Sequence, residues 1–155
     1  MNAGIINRFV LRDNENSREG MDMALFTIDK TSKNISLFYS GAYNPLYHIR
    51  NNQLSEMSAL RYNIGSIPDD QKENIICHSI EIEKGDIVYL FSDGYGDQIN
   101  GETGKKFMKS RFKQTLLEIH KKPVDEQKEI LLRKHLLWRG NTFQTDDILV
   151  MGFQF

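Results

Sequence analysis

Hydrophobic and polar positions alternate with a period of two through the first part of the chain and shift to a helical period later. Met23–Ile28 and Ile35–Ser40 are β-prone runs joined by the polar segment Asp29-Lys-Thr-Ser-Lys-Asn34, which predicts a hairpin with a longer turn. Leu46–Arg50 predicts a third strand, and Asn51-Asn52 a turn into a short strand near Leu54. Arg61–Glu73 carries Gly65, Pro68 and Asp69-Asp70 and reads as a loop. Ile75–Ile82 alternates, and Glu83-Lys-Gly-Asp86 turns the chain into Ile87–Phe91. That last run is apolar at every position, the mark of a central strand covered on both faces. Two helices follow. Lys105–His120 places Met108, Phe112, Leu116 and Ile119 at helical spacing. Val124–Trp138 starts just after Pro123, which suits a first helical turn, and Gly140 supplies a stop. Ile148–Phe153 predicts a returning strand. Strands, then two helices, then one strand predict an α+β fold with a mostly antiparallel sheet.

Composition adds bounds. The 155 residues suit one domain. A 39% hydrophobic and 26% charged content is ordinary for a globular chain, and it excludes disordered, collagen-like and low-complexity classes. No repeat or Pro/Ser-rich linker marks a second domain. The polar stretch Arg12–Gly20 reads as a loop. A net charge of −1 gives no global attraction to nucleic acid. Met1–Arg8 has no basic region followed by an apolar stretch, and no apolar run is long enough to span a bilayer. The expected location is cytoplasmic.

The lone Cys77 rules out an internal disulfide, and its alternating surroundings predict a small buried residue in a strand. His48, His78, His120 and His135 are far apart and form no metal-ligand spacing. Lys105, Lys106, Lys109, Arg111 and Lys113 fall without an acid among them and predict a solvated helix face, with attraction of an acidic or phosphorylated partner as the other reading. Gly104-Lys105 fails as a phosphate loop, because Ile99 stands where the first glycine is needed and Lys106 where Ser or Thr is. A calcium loop starting at Asp93 fails at Tyr95, Gln98 and Gly104. The remaining chemistry lies in carboxylates. Ile87–Phe91 ends in Ser92-Asp93-Gly94, and Ile148 follows Thr145-Asp146-Asp147. If the two strands are antiparallel neighbours, Asp93 and Asp146 converge at one rim. Clustered carboxylates repel unless a cation sits between them, and oxygen ligands select hard ions such as Mg²⁺ or Mn²⁺. From spacing alone that signal is weak: Asp-Gly after a strand is first of all a turn, and Thr-Asp before a strand an ordinary loop.

Six motifs in order carry a resemblance: Gly20-Met-Asp-Met-Ala-Leu25, Ser40-Gly-Ala-Tyr-Asn-Pro45, Asn63-Ile-Gly65, Phe91-Ser-Asp-Gly-Tyr-Gly-Asp-Gln98, Gly104-Lys-Lys-Phe107 and Thr145-Asp-Asp-Ile-Leu-Val150. Together they resemble the SpoIIE-type branch of the metal-dependent serine/threonine protein phosphatases of the PPM family. The resemblance runs from about Gly20 to the C-terminus. It implies that 20–155 is the C-terminal portion of such a domain and 1–19 a flanking segment, the end of a missing part of it. It implies a sandwich of two antiparallel sheets flanked by helices. It implies two Mn²⁺ or Mg²⁺ ions at one end, where a metal-activated water attacks phosphoserine or phosphothreonine. By motif match Asp93 and Asp146 are metal ligands, and Asp147 and Gly94 belong to the surrounding shell or to an additional metal. No side chain acts as nucleophile. Asp22 lies near the catalytic rim without being a core ligand, and the Tyr43–Asn44 turn, where the family often has His, is assigned no catalysis. The implied partners are a phosphoprotein substrate, by analogy an anti-sigma-factor antagonist, and a sensor domain that can be membrane-attached in the full-length protein.

The departure from the pattern matters too. Family members carry a Gly-Asp segment whose aspartate bridges both metals, and an Asp-x-x-Gly-His-Gly segment. Neither occurs here, and Asp13 in its polar loop does not match the bridging motif. Metal binding is therefore expected to be weak and activity of this chain alone low or absent. The incomplete sandwich is expected to expose apolar surface and favour self-association. The alternative function is a non-catalytic phosphatase-like interaction or dimerisation module.

Overall fold

A computed structural model describes residues 20–31, 34–64 and 75–155. The flanking segment 1–19 with Asp13, Gly65, and most of the loop predicted over Arg61–Glu73 lie outside the described residues. Among the described residues the secondary structure is α+β, with two antiparallel sheets and three helices. The chain divides into two compact units.

One unit comprises Met1–Pro45 and Met57–Glu81. Here β1 (Met23–Asp29) pairs antiparallel with β2 (Ile35–Ala42), from Met23↔Ala42 to Asp29↔Ser36. Strand β5 (His78–Ile82) lies on the other edge of β2. Leu37 and Tyr39 are buried while Leu25 and Phe38 remain exposed, the alternation expected of a sheet with two unlike faces. Gly41 has a steric reason. A Cβ there would come within 2.0 Å of the Tyr39 hydroxyl, which donates to the Asn44 carbonyl. Cys77 corrects the sequence reading: β5 begins one residue after it, and the thiol is exposed rather than buried in a strand.

The second unit comprises Leu46–Glu56 and Ile82–Phe155. It is built on a four-stranded sheet in the order β4 (Gln53–Met57), β3 (Leu46–Arg50), β6 (Ile87–Phe91), β7 (Val150–Gln154). Asn51 and Asn52, both with positive φ, make the two-residue turn from β3 to β4, a conformation asparagine tolerates well. Strand β6 is buried at every residue, as its sequence predicted. It runs antiparallel to both neighbours, with Tyr47↔Tyr89 on one side and Phe91↔Val150 on the other. The helices are α1 (Gly94–Asp97), α2 (Lys109–Ile119) and α3 (Val124–Arg139). Phe112, Leu116, Ile119 and Leu131 from α2 and α3 join Tyr47, Ile49, Tyr89 and Phe91 in one core. Buried tyrosines find partners at their polar ends: Tyr89 donates to Gln127 Oε1 at 2.6 Å and Tyr95 to the Leu131 carbonyl at 2.9 Å.

Three sequence expectations shift. Helix α1 was read only as a turn, because Gly94-Tyr-Gly-Asp97 holds two residues of poor helix propensity. Helix α2 begins at Lys109 rather than Lys105. Lys106 instead bridges to Ile99, and Met108, with φ of 79° and an exposed side chain, is not a core residue. The sequence pattern also predicts the leucines, phenylalanines and Trp138 of the two helices as core, yet Leu132, Leu136 and Leu137 on α3 and Phe143 beyond it are exposed.

At the start of β6, Asp86 is 1% exposed and fully engaged. Arg50 grips it with two bonds, Nε–Oδ1 at 2.9 Å and Nη2–Oδ2 at 2.6 Å. The Glu83 N–H donates to Oδ2 at 2.9 Å, and His48 Nε2 stands 3.0 Å from the same oxygen. Burial pushes this carboxyl up, but the Arg50, Glu83 and His48 interactions outweigh it and hold the pKa at about 2.

Candidate functional site

The opposite end of β6 is the rim to which the carboxylates were assigned. Strands β6 and β7 are antiparallel neighbours, as that assignment required. Ser92 locks the corner. Its N–H donates to the Leu149 carbonyl at 3.0 Å. Its hydroxyl donates to the Asp147 carbonyl at 2.7 Å and accepts from the Leu149 N–H at 2.9 Å. Gly94 permits the close approach, since a Cβ there would lie 2.3 Å from the Asp147 carbonyl oxygen. The backbones at Asp93 and Asp147 are thereby neighbours.

A second anchor holds the other side of the acidic pair. Gln98, fully buried just after α1, donates to the Phe143 carbonyl at 3.1 Å and accepts from the Thr145 N–H at 3.2 Å. Its own carbonyl accepts from Trp138 Nε1 at 3.0 Å. Ser92 and Gln98 therefore fix the loop on both sides of Asp146. Asp93, Asp146 and Asp147 are all exposed. Asp146 Oδ1 accepts from the Asp147 N–H at 2.7 Å. The carboxylates of Asp93 and Asp147 accept no hydrogen bond from another described residue.

One cation stands at this rim. Lys106 Nζ pairs with Asp97 Oδ2 at 2.8 Å. The Asp97 hydrogen bond and charge, with a further contribution from Asp93, hold this ammonium above the usual lysine range. The sequence placed Lys106 on a solvated helix face. It comes to the rim because residues 98–107 fold back on themselves, with Phe107 N–H to the Gln98 carbonyl and Asn100 N–H to the Lys105 carbonyl, both at 2.9 Å. Ser92 and Gln98 were legible as motif members, yet nothing in the sequence announced their roles as anchors.

The donor chemistry of this rim, exposed carboxylates of which only Asp97 forms an ion pair with another described residue, suits a hard cation. The number of donors does not. Among the described residues, no three His, Cys, Asp or Glu side chains gather in a way that could hold a metal ion. The other polar candidates have structural roles. Asp22 accepts from Asn63 Nδ2 at 2.5 Å beside the Met21–Ile64 bridge. Asn44 serves its turn through its backbone, its N–H donating to the Ala42 carbonyl at 2.8 Å. His48, His120 and His135 are buried and His78 bonds to the Ser58 carbonyl.

Comparison with known proteins adds a family. The model of the family "Stage II sporulation protein E (SpoIIE)" matches residues 3–155. Among curated proteins, none matches. Among solved structures, the SiaA-PP2C domain of Pseudomonas aeruginosa is similar over 86% of this chain and 51% of its own, at 28% identity and a TM-score of 0.77. The phosphatase domain of SpoIIE from Bacillus subtilis matches 97% of this chain and 63% of its own, at 17% identity and a TM-score of 0.59. The catalytic domain of the serine/threonine phosphatase PstP, solved in complex with two manganese ions, matches 96% and 64%, at 20% identity and a TM-score of 0.54. The chain thus spans about half to just under two thirds of the solved domains it matches.

Proposed function

The chain belongs to the SpoIIE family, and on that premise we propose that it is the C-terminal part of a bacterial metal-dependent serine/threonine phosphatase acting on a phosphorylated signalling partner. The observation that carries this reading is the locked rim at the end of β6, where Ser92 and Gly94 set Asp93 against Asp147. In this reading Asp93 and Asp146 contribute to Mn²⁺ or Mg²⁺ binding, with Asp147 and Gly94 around them. Such ions would supply an acidified water and charge neutralisation at the phosphoryl group. The described residues by themselves offer too few donors for two ions, so this chain alone has little or no activity. The substrate is a phosphoserine or phosphothreonine protein, by family analogy an anti-sigma-factor antagonist, and a sensor domain governs the full-length protein. The location is cytoplasmic. Among the described residues no helix is long and apolar enough to cross a membrane.

Hydrolysis of p-nitrophenyl phosphate with millimolar Mn²⁺ tests the reading. Turnover near background is expected for this chain, and robust turnover abolished by Asp93→Asn would overturn the claim of inactivity. A second reading, a non-catalytic interaction or dimerisation module, is favoured by the short donor count and by the exposed Leu132, Leu136 and Leu137. Wild-type binding of Mn²⁺ lost in Asp93→Asn supports the phosphatase reading; no detectable binding supports the module.

A further inference from the structure

Helices α2 and α3 form a hairpin with a groove of about 480 Å³ on its outer side. Arg111, Gln114, Thr115 and Glu118 line it from α2, at the spacing of one helical face. Lys134, Leu137 and Trp138 line it from α3. Its two ends differ in charge balance. Near the connecting loop, Lys134 Nζ pairs with Glu118 Oε2 at 2.7 Å, so that end is neutral. At the other end the Arg111 guanidinium lies 4.6 Å over the Trp138 ring. Arg111 makes no hydrogen bond or ion pair with another described residue. The contact with the Trp138 ring places the guanidinium without using its donors on any described residue, and a guanidinium suits a carboxylate. Beside it Leu137 is 75% exposed. Leu137 and Trp138 also border a second hollow of about 450 Å³. A tryptophan and an arginine without an ion pair are residue types enriched in binding hot spots, and the exposed Leu137 adds apolar surface beside them.

We propose that the α2–α3 groove docks an acidic amphipathic helix of a partner protein, with a partner carboxylate on Arg111 and a partner apolar side chain against Leu137 and Trp138. The charge of the open end selects this occupant. A basic segment would meet Arg111 without compensation, and a purely apolar one would leave its donors covered and unpaired. The inference does not rest on the phosphatase reading, because none of these residues belongs to the acidic rim.

Trp138 is the only tryptophan of the chain, so its emission reports on the groove directly. The probe is a synthetic helical peptide with leucines at i, i+3, i+4 and i+7 and glutamates elsewhere, titrated into the full chain. A saturable change in Trp138 emission that weakens with salt is expected. Arg111→Glu should weaken it about tenfold, the size of one charge-assisted contact. Leu137→Ser, at an exposed site that does not threaten folding, should weaken it too, and Lys128→Glu elsewhere on α3 should change little. No emission change, equal binding of the same peptide with lysines for glutamates, or unchanged binding in Arg111→Glu would each overturn the proposal. Emission that varies with the concentration of the chain alone would instead assign the groove to a second copy.

Discussion

Two aspartates flank strand β6 and have opposite fates. Asp86, at its start, is buried and held by Arg50, the Glu83 N–H and His48. Asp93, after its end, is exposed, and its carboxylate receives no hydrogen bond from another described residue. The same strand presents both, and the backbone around each is tightly fixed. The difference lies in where the interactions go. At Asp86 they end on the carboxylate, whose charge is consumed in holding the fold. At Asp93 they end on the neighbouring backbone, through Ser92 and Gly94, so the charge stays available. A fixed backbone under an unused carboxylate is the arrangement a ligand site needs.

Substitutions can break this contrast, and the largest effect belongs to Asp86. Asp86→Asn removes the buried charge that Arg50, the Glu83 N–H and His48 converge on, leaving Arg50 its pair with Glu83, and should cost about 3 kcal/mol in urea unfolding. The pH profile sharpens it. Because the folded carboxyl is depressed, its stabilisation is present above the ordinary 3.8 and lost as pH falls toward about 2. Wild type should lose about 2 kcal/mol through that window, and Asp86→Asn should not show this component. A wild-type profile flat across it would remove Asp86 from its structural role.

Gly94→Ala comes next. The new methyl meets the Asp147 carbonyl at 2.3 Å, so the corner must open at a cost of about 2 kcal/mol, seen as a lowered urea midpoint. A neutral result would mean the corner is loose and sets no geometry. The smallest effect on stability is expected at Asp93. Asp93→Asn should shift unfolding by less than about 0.5 kcal/mol, while any Mn²⁺ binding measured by calorimetry falls. A large destabilisation there would make Asp93 a second Asp86 and erase the distinction.

Much of this could be read from the residues. The apolar run Ile87–Phe91 announced a central strand, and the period-two segments placed the other strands to within a few residues. The motifs around Asp93 and Asp146 pointed to the family that the whole-chain match supports. Misreadings arose where a non-local contact overrides local pattern. Lys105–Met108 has helical spacing but pairs back toward Ile99 instead. Cys77 continues an alternating pattern yet precedes the pairing of β5. Leu137 lies six residues after the core Leu131, off the buried face of α3, and faces solvent.

Sequence alone determined the element types, the family and the identity of the acidic residues, because periodicity and motif order are local properties of the chain. Tertiary structure decided which charges are spent and which are open. Asp86 is paired only because β3 brings Arg50 and His48 beside β6, and Lys106 stands near Asp93 only because residues 98–107 fold back. Both outcomes depend on distances between residues far apart in sequence, and electrostatic strength follows distance and burial rather than residue type.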